Sequence, residues 1–265
     1  MMVKLLFSDI DGTLINSDLQ VTPRTRDAIR KQVIKGNIFV PVSGRMPQGI
    51  MTAAGQIMKR CPLIAYNGAL VLDEMGRPLN SQFMTADQAE EICQYVERKN
   101  NGTVWNVYSG YDWYYFPGNN CELVQKEEKT VDVKATLSSL AQVKKLKGAH
   151  KVLIMGDPKL LDEEQVELKV KYPKLYIVKS APNLLEVMIN GVSKGNGIKI
   201  LAEDFNVKLT DCWAFGDNYN DAAMLEAVAH PVLMANAPVD LKAKFKVITQ
   251  DNNHDGIADV LEQLD

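Results

Sequence analysis

The chain has 265 residues, of which 30 are Lys or Arg and 33 are Asp or Glu, giving a formal net charge of -3. Because the charges nearly balance and the basic residues form only short runs, the composition excludes the electrostatic footprint of a nucleic-acid-binding protein. The length favours two domains over one, and no apolar stretch approaches the length that spans a bilayer. We expect a globular protein without nucleic-acid or membrane partners and, by default, a cytoplasmic location; the oligomeric state is left open.

The four cysteines, Cys61, Cys93, Cys121 and Cys212, are widely separated and form no Cys-x-x-Cys pair. This spacing indicates neither a zinc site nor a disulfide framework. We expect reduced and mostly buried thiols.

Short β-rich runs alternate with helical patterns at the start of the chain. They predict a strand at 3–9, a helix at 22–36, a strand at 37–43, a helix ending near 60 and a strand at 63–66. Pro23 after Thr22 fits a capped helix start, and Gly36 fits a helix end. This alternation is typical of a parallel sheet covered by helices. A hairpin-like segment at 71–79 follows.

The pattern changes between about residues 83 and 189. Here it predicts helices at 86–99, 138–146 and 162–171, aromatic strands, and further strands at 151–155, 175–179 and 184–189. The alternation then returns, with helices at 194–205, 221–229 and 257–264 and strands at 212–216, 231–234 and 247–248. We predict an α/β fold: a doubly wound, Rossmann-like parallel-sheet core from residues 1–82 and 190–265, with a mixed α/β domain inserted at 83–189.

Two carboxylates, Asp9 and Asp11, stand two positions apart where the first strand meets a glycine turn. Residues i and i+2 of an extended segment project to the same side. At roughly 5 Å and an effective dielectric near 20, their repulsion is about 3 kcal/mol, more than the ~1 kcal/mol that a capping Asp returns. The pair therefore favours a shared proton or a divalent cation; an Asx turn that closes a strand is the alternative.

Polar residues also follow the other predicted strands of the core. They are Ser43-Gly44-Arg45, Asn67-Gly68 and the run from Gly216 to Asp221, and Lys194 stands at a helix start. Each of these alone is an ordinary turn, cap or solvated lysine. Because doubly wound sheets carry their sites at the carboxyl ends of strands, together they predict a ring of anions, amide donors and a hydroxyl, with one cation to hold a phosphate.

These motifs, in this order and spacing, resemble the haloacid dehalogenase superfamily and, within it, the Cof-type phosphatases. The residues that carry the resemblance are Asp9-Ile10-Asp11-Gly12-Thr13, Ser43-Gly44-Arg45, Asn67-Gly68, Lys194-Gly195, Gly216-Asp217-Asn218-Tyr219-Asn220-Asp221, Asn236-Ala237 and Asp255-Gly256-Ile257-Ala258. The resemblance covers the whole core and the position of the insert, which it identifies as a type IIB α/β cap. Closure of such a cap over a site excludes water.

The resemblance implies a role for each residue. Asp9 is the nucleophile that forms an aspartyl-phosphate, and Asp11 is the general acid and then the base. Mg²⁺ binds the Asp9 and Asp217 carboxylates and the Asp11 backbone carbonyl, oxygen ligands that suit this hard ion. A further set holds the phosphate or orients the groups that do: Ser43, Gly44 and Lys194 around the phosphoryl oxygens, Asn220 and Asp221 beside Lys194 and the metal waters, and Asn67 near the phosphate or leaving group. Arg45 either reaches the substrate or pairs with a local acid.

Three positions depart from the family pattern. Most relatives carry Thr where this chain has Ser43, a change that keeps the hydroxyl. Pro41 removes a ladder donor from a strand predicted to be interior, which predicts a local bulge before the phosphate loop. Ala235 stands where relatives often have Gly.

The aromatic stretch at 108–116 admits two interpretations: ring stacking on a substrate, or packing against the helices of the insert, which we favour because aromatic residues are ordinary strand formers. His150, His230 and His254 lack metal-ligand spacing, and we expect ordinary surface or packing residues.

The sequence thus predicts a Mg²⁺-dependent phosphatase of small phosphorylated metabolites, sugar phosphates first. A sugar phosphomutase on the same fold is the second hypothesis, and a non-catalytic phosphate-binding or scaffold protein is the third. The presence of Asp9, Asp11, Lys194 and Asp217 argues against the third, because a degenerate member would be expected to lose at least one of them.

Overall fold

The computed structural model describes residues 3–116, 118 and 120–264; the outermost residues of the predicted core segments, Met1 and Asp265, lie outside this range. The chain forms two compact units, Met1–Ser81 with Ser193–Asp265, and Gln82–Val192. The strands are β1 (Leu5–Asp9), β2 (Ile38–Val42), β3 (Leu63–Ala65), β4 (Leu70–Leu72), β5 (Pro78–Ser81), β6 (Val104–Ser109), β7 (Asp112–Phe116), β8 (Thr136–Leu137), β9 (Lys151–Met155), β10 (Leu175–Ala181), β11 (Leu184–Ile189), β12 (Cys212–Gly216) and β13 (His230–Leu233). The α-helices are α1 (Pro23–Ile34), α2 (Pro47–Ala54), α3 (Ala86–Lys99), α4 (Cys121–Val131), α5 (Leu140–Val143), α6 (Pro158–Lys171), α7 (Lys194–Asp204), α8 (Ala222–Ala227), α9 (Val239–Lys242) and α10 (Gly256–Leu261).

The first unit contains a seven-stranded sheet in the order β13-β12-β1-β2-β3-β4-β5. The pairs from β13 to β3 are parallel, whereas β3–β4 and β4–β5 are antiparallel. The chain leaves β1 for β2 on one side and returns to β12 on the other, so the strand order reverses at β1. In open α/β sheets the ligand binds beyond the carboxyl ends of the strands at such a reversal. The predicted α/β fold is confirmed, and the end of β1 is the place to look for a site.

Apolar packing holds β1 in place. Leu5 and Phe7 belong to one buried cluster with Ile198 and Leu201 of α7 and Met224 of α8. All five residues of β1 are buried, as expected for a parallel strand that is covered on both faces. The polar residue that ends the strand is therefore held on a rigid support.

Capping explains where α7 begins. The Ser193 side chain accepts a hydrogen bond from the Asn196 amide over 3.1 Å, so Ser193 is the N-cap and Lys194 the first helical residue. Serine satisfies one of the unpaired amides of a helix start in this way. The local sequence thus fixes the position of Lys194 in the first turn of the helix.

The second unit contains a six-stranded sheet in the order β10-β11-β9-β6-β7-β8. Its pairs are antiparallel except for the parallel pair β7–β8. Ile92 of α3 and Leu161 of α6 share a buried apolar cluster with Val107, Val152 and Val187 of the sheet. This unit thus has its own core. Within the described residues, we find no helix with both the length and the apolar character needed to cross a membrane.

The bulge predicted at Pro41 is wrong. The register between β1 and β2 runs without a shift through Ser8–Pro41 to Asp9–Val42. The amide of Ile38 donates toward β1 and that of Ser43 toward β3, so by strand alternation position 41 faces β3. There the β2–β3 ladder pairs only Val42 with Ile64. The missing N–H of Pro41 therefore falls where β3 has not yet begun, and no bulge is required.

Several helices are shorter than predicted, and two of them differ most from their predicted bounds. The helix expected to end near residue 60 ends at Ala54, and Gly55 is its C-cap. The helix expected at 138–146 is helical only at Leu140–Val143; the amides of Lys145 and Leu146 then bond three residues back, in tighter turns. Weak helix ends often tighten in this way.

The aromatic stretch at 108–116 is divided between packing and exposure. Tyr108 stacks on Trp113 at a centroid distance of 5.2 Å, and both residues are buried. Trp113 also donates its indole N–H to Asn106, whereas Tyr111 is exposed. Tyr114 packs against the apolar cluster that the sheet shares with the helices, as we favoured. By strand alternation the Tyr108–Trp113 pair lies on the other face of the sheet, and Tyr111 lies in an exposed turn.

The histidines and cysteines lie mostly in packed positions. His150 is buried, and burial lowers its pKa to about 4, so it is neutral at physiological pH. His230 stacks flat on Trp213 at 3.8 Å. All four cysteines are free thiols; Cys121 is exposed and the other three are buried.

Candidate active site

Asp9 is the last residue of β1, and its carboxylate is buried next to the ammonium of Lys194. Lys194 Nζ donates to Asp9 Oδ1 over 2.5 Å and to Asp221 Oδ1 over 2.6 Å. The lysine is 1% exposed. Burial by itself lowers its pKa, but Asp221 and Asp9 together outweigh this effect and raise the pKa above its ordinary value. The lysine is therefore a fixed cation between two carboxylates, not the solvated side chain that a lone lysine usually is.

Asp221 ends the short 3-10 helix Tyr219–Asp221 and is fully buried. Its Oδ2 accepts hydrogen bonds from the backbone amides of Asp217 and Asn218 over 2.9 and 3.0 Å. Both of its oxygens are thus engaged by fixed donors. Asp221 holds Lys194 on one side and the Asp217 backbone on the other.

Asp217 follows β12, and its carboxylate accepts hydrogen bonds from residues of two other loops. Thr13 Oγ1 donates to its Oδ1 over 2.8 Å, and Asn236 Nδ2 donates to its Oδ2 over 3.1 Å. The same Asn236 amide group reaches the Gly12 carbonyl over 2.9 Å. A Cβ at Gly12, which has φ +79°, would lie 2.5 Å from the Asp217 carboxylate. The glycine therefore permits the close approach of these two loops.

Neither Thr13 nor Asn236 was assigned a role from the sequence, although both lie within the motifs that carry the resemblance. Their partners are 204 and 19 residues away in the sequence. Thr13 is also buried, which a hydroxyl tolerates when it is hydrogen-bonded. The one available signal was their position directly after strands at the same edge of the sheet.

Oxygen atoms of Asp9, Asp217 and Asp221 lie within 4.8 Å of one another. Burial, and after it the charge of Asp221, raises the pKa of Asp9 well above its ordinary value, although Lys194 opposes this shift. Burial also raises the pKa of Asp217 to about 6, against the hydrogen bond from Thr13, which lowers it. The cluster carries more negative charge than one lysine balances. Carboxylate oxygens crowded in this way fit a divalent cation.

Asp11 is not part of that cluster in the structure. Its side chain is 54% exposed and forms a bidentate ion pair with Arg45. The prediction that the two motif carboxylates converge on one small volume therefore needs revision: Asp9 turns inward at the end of the strand, whereas Asp11 lies in the turn beyond it and faces solvent. The two acids are held in different environments, and such separation often accompanies different roles.

Ser43, Gly44 and Arg45 follow β2, as predicted. Ser43 is buried, and its hydroxyl accepts a hydrogen bond from the Arg45 amide over 3.1 Å. The backbone amide of Asn67 donates to the Ser43 carbonyl over 3.0 Å. A Cβ at Gly44 would lie 3.2 Å from the Asn67 side chain. The loops after β2 and β3 are thus in direct contact.

Asn67 has φ +53°, the left-handed conformation that asparagine adopts more readily than most residues. Its side-chain oxygen accepts a long hydrogen bond, 3.4 Å, from Asn220 Nδ2. This contact joins the loop after β3 to the loop after β12. The structure therefore brings the predicted residues together at one edge of the sheet.

Comparisons with known proteins agree with this architecture. The family model for haloacid dehalogenase-like hydrolases matches residues 6–261. A protein of Haemophilus influenzae is 34% identical over 99% of this chain and 98% of its own length. The HMP-PP phosphatase of Serratia proteamaculans is 29% identical over 91% of this chain and 87% of its own length. The crystal structure of TM0651 from Thermotoga maritima matches with a TM-score of 0.89 and 29% identity, covering 100% of this chain and 98% of that one. The chain therefore belongs to the haloacid dehalogenase-like hydrolase family, among its phosphatases.

Proposed function

We propose that this protein is a Mg²⁺-dependent phosphatase of small phosphorylated metabolites, sugar phosphates first, and that it acts through an aspartyl-phosphate on Asp9. The observation that carries the proposal is the buried Asp9 carboxylate at the end of β1, 2.5 Å from the Lys194 ammonium and within 4.8 Å of the Asp217 carboxylate. A nucleophile, a fixed cation and a second acid at one point are the parts that phosphoryl transfer needs.

The family generally uses a divalent metal, and we propose that the metal of this protein is Mg²⁺. The Asp9 and Asp217 carboxylates and the Asp11 backbone carbonyl would hold it, with oxygen atoms as the ligands. Such a donor set suits a hard cation and disfavours softer metals. When bound, the ion would offset the negative charge of the phosphoryl oxygens. Thr13 and Asn236, which donate to the two oxygens of Asp217, would fix the orientation of this ligand.

The phosphate group is expected to lie against Lys194, the Ser43 hydroxyl and the Gly44 amide. Asn67 and Asn220, joined at 3.4 Å, would complete the edge of this pocket. Fixed donors and a buried cation stabilise the charge that develops in phosphoryl transfer, since they need no reorganisation when the reaction occurs. Asp221 contributes by keeping the Lys194 ammonium in place.

The reaction has two steps. An Asp9 oxygen attacks phosphorus, the ester P–O bond breaks with its electron pair on the leaving oxygen, and that oxygen takes a proton from the Asp11 carboxyl. In the second step the Asp11 carboxylate takes a proton from water as the water oxygen attacks phosphorus. The bond between phosphorus and Asp9 then breaks, its electron pair returns to Asp9, and inorganic phosphate leaves.

We also assign the inserted domain, residues 83–189, the role of the cap that this family uses to select its leaving group. The support is its independent core and its position in the chain, between the two segments of the first unit.

A phosphate-release screen tests the proposal. Wild-type protein is incubated with a panel of sugar, nucleotide and cofactor phosphates, once with Mg²⁺ and once with chelator. We expect metal-dependent release from several members of the panel. Retention of phosphate on sugar, stimulated by a sugar bisphosphate, would identify a mutase instead. No metal-dependent hit would contradict catalysis.

The matched pair of variants is Asp9→Asn and Asp18→Asn. Asp9 ends β1 and is buried, whereas Asp18 lies in the segment between β1 and α1 and is exposed. Asp9→Asn is expected to abolish release, because the neutral amide oxygen is a much weaker nucleophile than a carboxylate oxygen. Asp18→Asn is expected to leave release unchanged. Persistent turnover in Asp9→Asn would contradict the assignment of the nucleophile.

A further inference from the structure

The guanidinium of Arg45 is committed to a carboxylate. Its Nη2 donates to Asp11 Oδ1 over 2.5 Å and its Nε donates to Asp11 Oδ2 over 2.9 Å. The remaining Nη1 donates to the Gly49 carbonyl over 3.4 Å. The edge of a guanidinium that binds phosphate in bidentate fashion is the same edge that binds a carboxylate. In this structure Asp11 occupies the edge formed by Nε and Nη2, and Nη1 of the other edge is directed to the Gly49 carbonyl.

The two partners differ in how firmly they are held. The Arg45 side chain is 9% exposed and that of Asp11 is 54% exposed. The Arg45 backbone is also fixed at both ends, since its amide donates to Ser43 Oγ and its carbonyl accepts from the Tyr66 amide, each over 3.1 Å. Arg45 is thus the anchored member of the pair, and it orients a carboxylate that would otherwise turn freely in solvent.

An acid in this position needs such an anchor. Asp11 stands two residues after Asp9, close to the acidic cluster, and a cation held by Asp9 and Asp217 would attract a third carboxylate. If the side chain of Asp11 turned inward to that cation, it could no longer exchange a proton with the leaving group. A bidentate guanidinium fixes the plane of the carboxylate as well as its position.

We propose that Arg45 is a positioning residue that acts through Asp11, and not a ligand of the substrate phosphate. It holds the acid–base carboxylate outside the metal ligand set and facing the leaving group. The proposal rests on the proposed function. Of the two expectations for Arg45, contact with the substrate or pairing with a local acid, it takes the second. It predicts that the loss of Arg45 weakens proton transfer while phosphate binding and nucleophilic attack continue.

The test uses two classes of phosphate ester. In an alkyl ester, such as a sugar phosphate, the leaving oxygen needs the proton from Asp11; the p-nitrophenolate of p-nitrophenyl phosphate leaves without one. We measure kcat/KM, which reports the steps up to formation of the aspartyl-phosphate, for wild-type protein and Arg45→Met. For the alkyl ester we expect a fall of roughly tenfold to a hundredfold, since general acid catalysis contributes 10²–10⁴-fold and the acid is displaced rather than removed. The aryl ester is expected to stay within about threefold, because general acid catalysis does not assist its departure.

Two further variants separate orientation from charge. Arg45→Lys keeps the positive charge but lacks the bidentate fork. Like Arg45→Met, it is therefore expected to lower kcat/KM for the alkyl ester more than for the aryl ester. Arg45→Ala with added methylguanidinium is expected to regain alkyl-ester turnover, because the added ion supplies the missing fork. Arg24→Met is the matched control: Arg24 forms the same bidentate pair with Glu262, away from the site residues, and its loss should leave the ratio of the two kcat/KM values unchanged.

Thermal unfolding verifies that each variant is folded. An equal loss of kcat/KM for both esters in Arg45→Met would identify Arg45 as a phosphate ligand and overturn the proposal. No loss for either ester would overturn it as well. Failure of the wild-type protein to hydrolyse either ester would instead contradict the proposed function, so the two failures are distinguishable.

Discussion

Replacement of Lys194 by Met is the perturbation for which the structure gives the most specific expectation. Methionine keeps an unbranched apolar chain of similar length and removes only the charge and its donors. The side chain of Lys194 is 0% exposed, and its two ion pairs reach Asp9 and Asp221 over 2.5 and 2.6 Å. The substitution therefore leaves two carboxylates buried without a cation.

Breaking a buried ion pair from one side typically costs 3–5 kcal/mol, because the remaining charge is desolvated and unpaired. Two features limit the cost here. Asp221 keeps the amides of Asp217 and Asn218 as donors, and Asp9 can take up a proton. We expect metal-free Lys194→Met to lose about 4 kcal/mol of unfolding free energy at a pH of about 8.

The loss should shrink as the pH falls. The pKa of Asp9 is already raised, by burial first and then by Asp221, and Lys194 opposes that shift; without the lysine the pKa rises further. A carboxyl whose pKa is higher in the folded than in the unfolded protein stabilises the fold below the unfolded pKa, and this contribution is lost as the pH rises through the folded pKa. At a pH of about 5 the variant should therefore lose about half as much as at a pH of about 8.

The assay is urea unfolding in chelator at these two pH values, followed by circular dichroism. Lys179→Met is the control: its ammonium also lies 2.6 Å from a carboxylate, that of Asp162, but that carboxylate is largely exposed. An exposed pair contributes only about 0–1 kcal/mol. If Lys194→Met lost no more than the control, or lost equally at both pH values, the reasoning would be refuted.

Three other expectations concern the same unit. Burial raises the pKa of Asp217 to about 6 from an ordinary 3.8, so the metal-free fold loses stability as the pH rises through that range. The increase in Tm with Mg²⁺ should therefore be larger at a pH of about 8 than at a pH of about 5. Equal increases at the two pH values would contradict this. Asp217→Asn should abolish the heat of Mg²⁺ binding in calorimetry, since it removes the charge and one of the two acceptor oxygens; undiminished binding would argue against Asp217 as a ligand. Gly68→Ala should cost about 1–3 kcal/mol, because its Cβ would lie 2.1 Å from the Ser193 carbonyl at φ +102°, whereas Gly36→Ala, at φ +93° with open space, should cost less in urea unfolding.

The strands and helices of the first unit follow from local chemistry. β12 of this unit, like β11 of the second unit, has the predicted bounds because apolar β-rich runs end at polar or glycine residues, and the start of α1 follows from Thr22 and Pro23. The Pro41 bulge was mispredicted because the side of the ladder that a residue faces depends on register, which is a property of the assembled sheet.

The site divides in the same way. The sequence predicts that Asp9 and Asp217 lie at strand ends and Lys194 at a helix start. The three residues meet because the fold brings the carboxyl ends of parallel strands together. The pairing of Arg45 with Asp11, and of Thr13 with Asp217, depends on loop geometry across 34 and 204 residues. Local patterns do not encode such contacts, and the resemblance left the partner of Arg45 open.

The central claim is that the Asp9 carboxylate becomes esterified to phosphorus. The most direct measurement reduces the intermediate with borohydride. Asp11→Asn, which slows hydrolysis of the intermediate by removing its base, is mixed with p-nitrophenyl phosphate and Mg²⁺, quenched in acid, reduced and mapped by peptide mass spectrometry. The account predicts homoserine at position 9 that depends on substrate and metal. Unmodified Asp9 while p-nitrophenol is released in a burst, or homoserine at another aspartate, would contradict it.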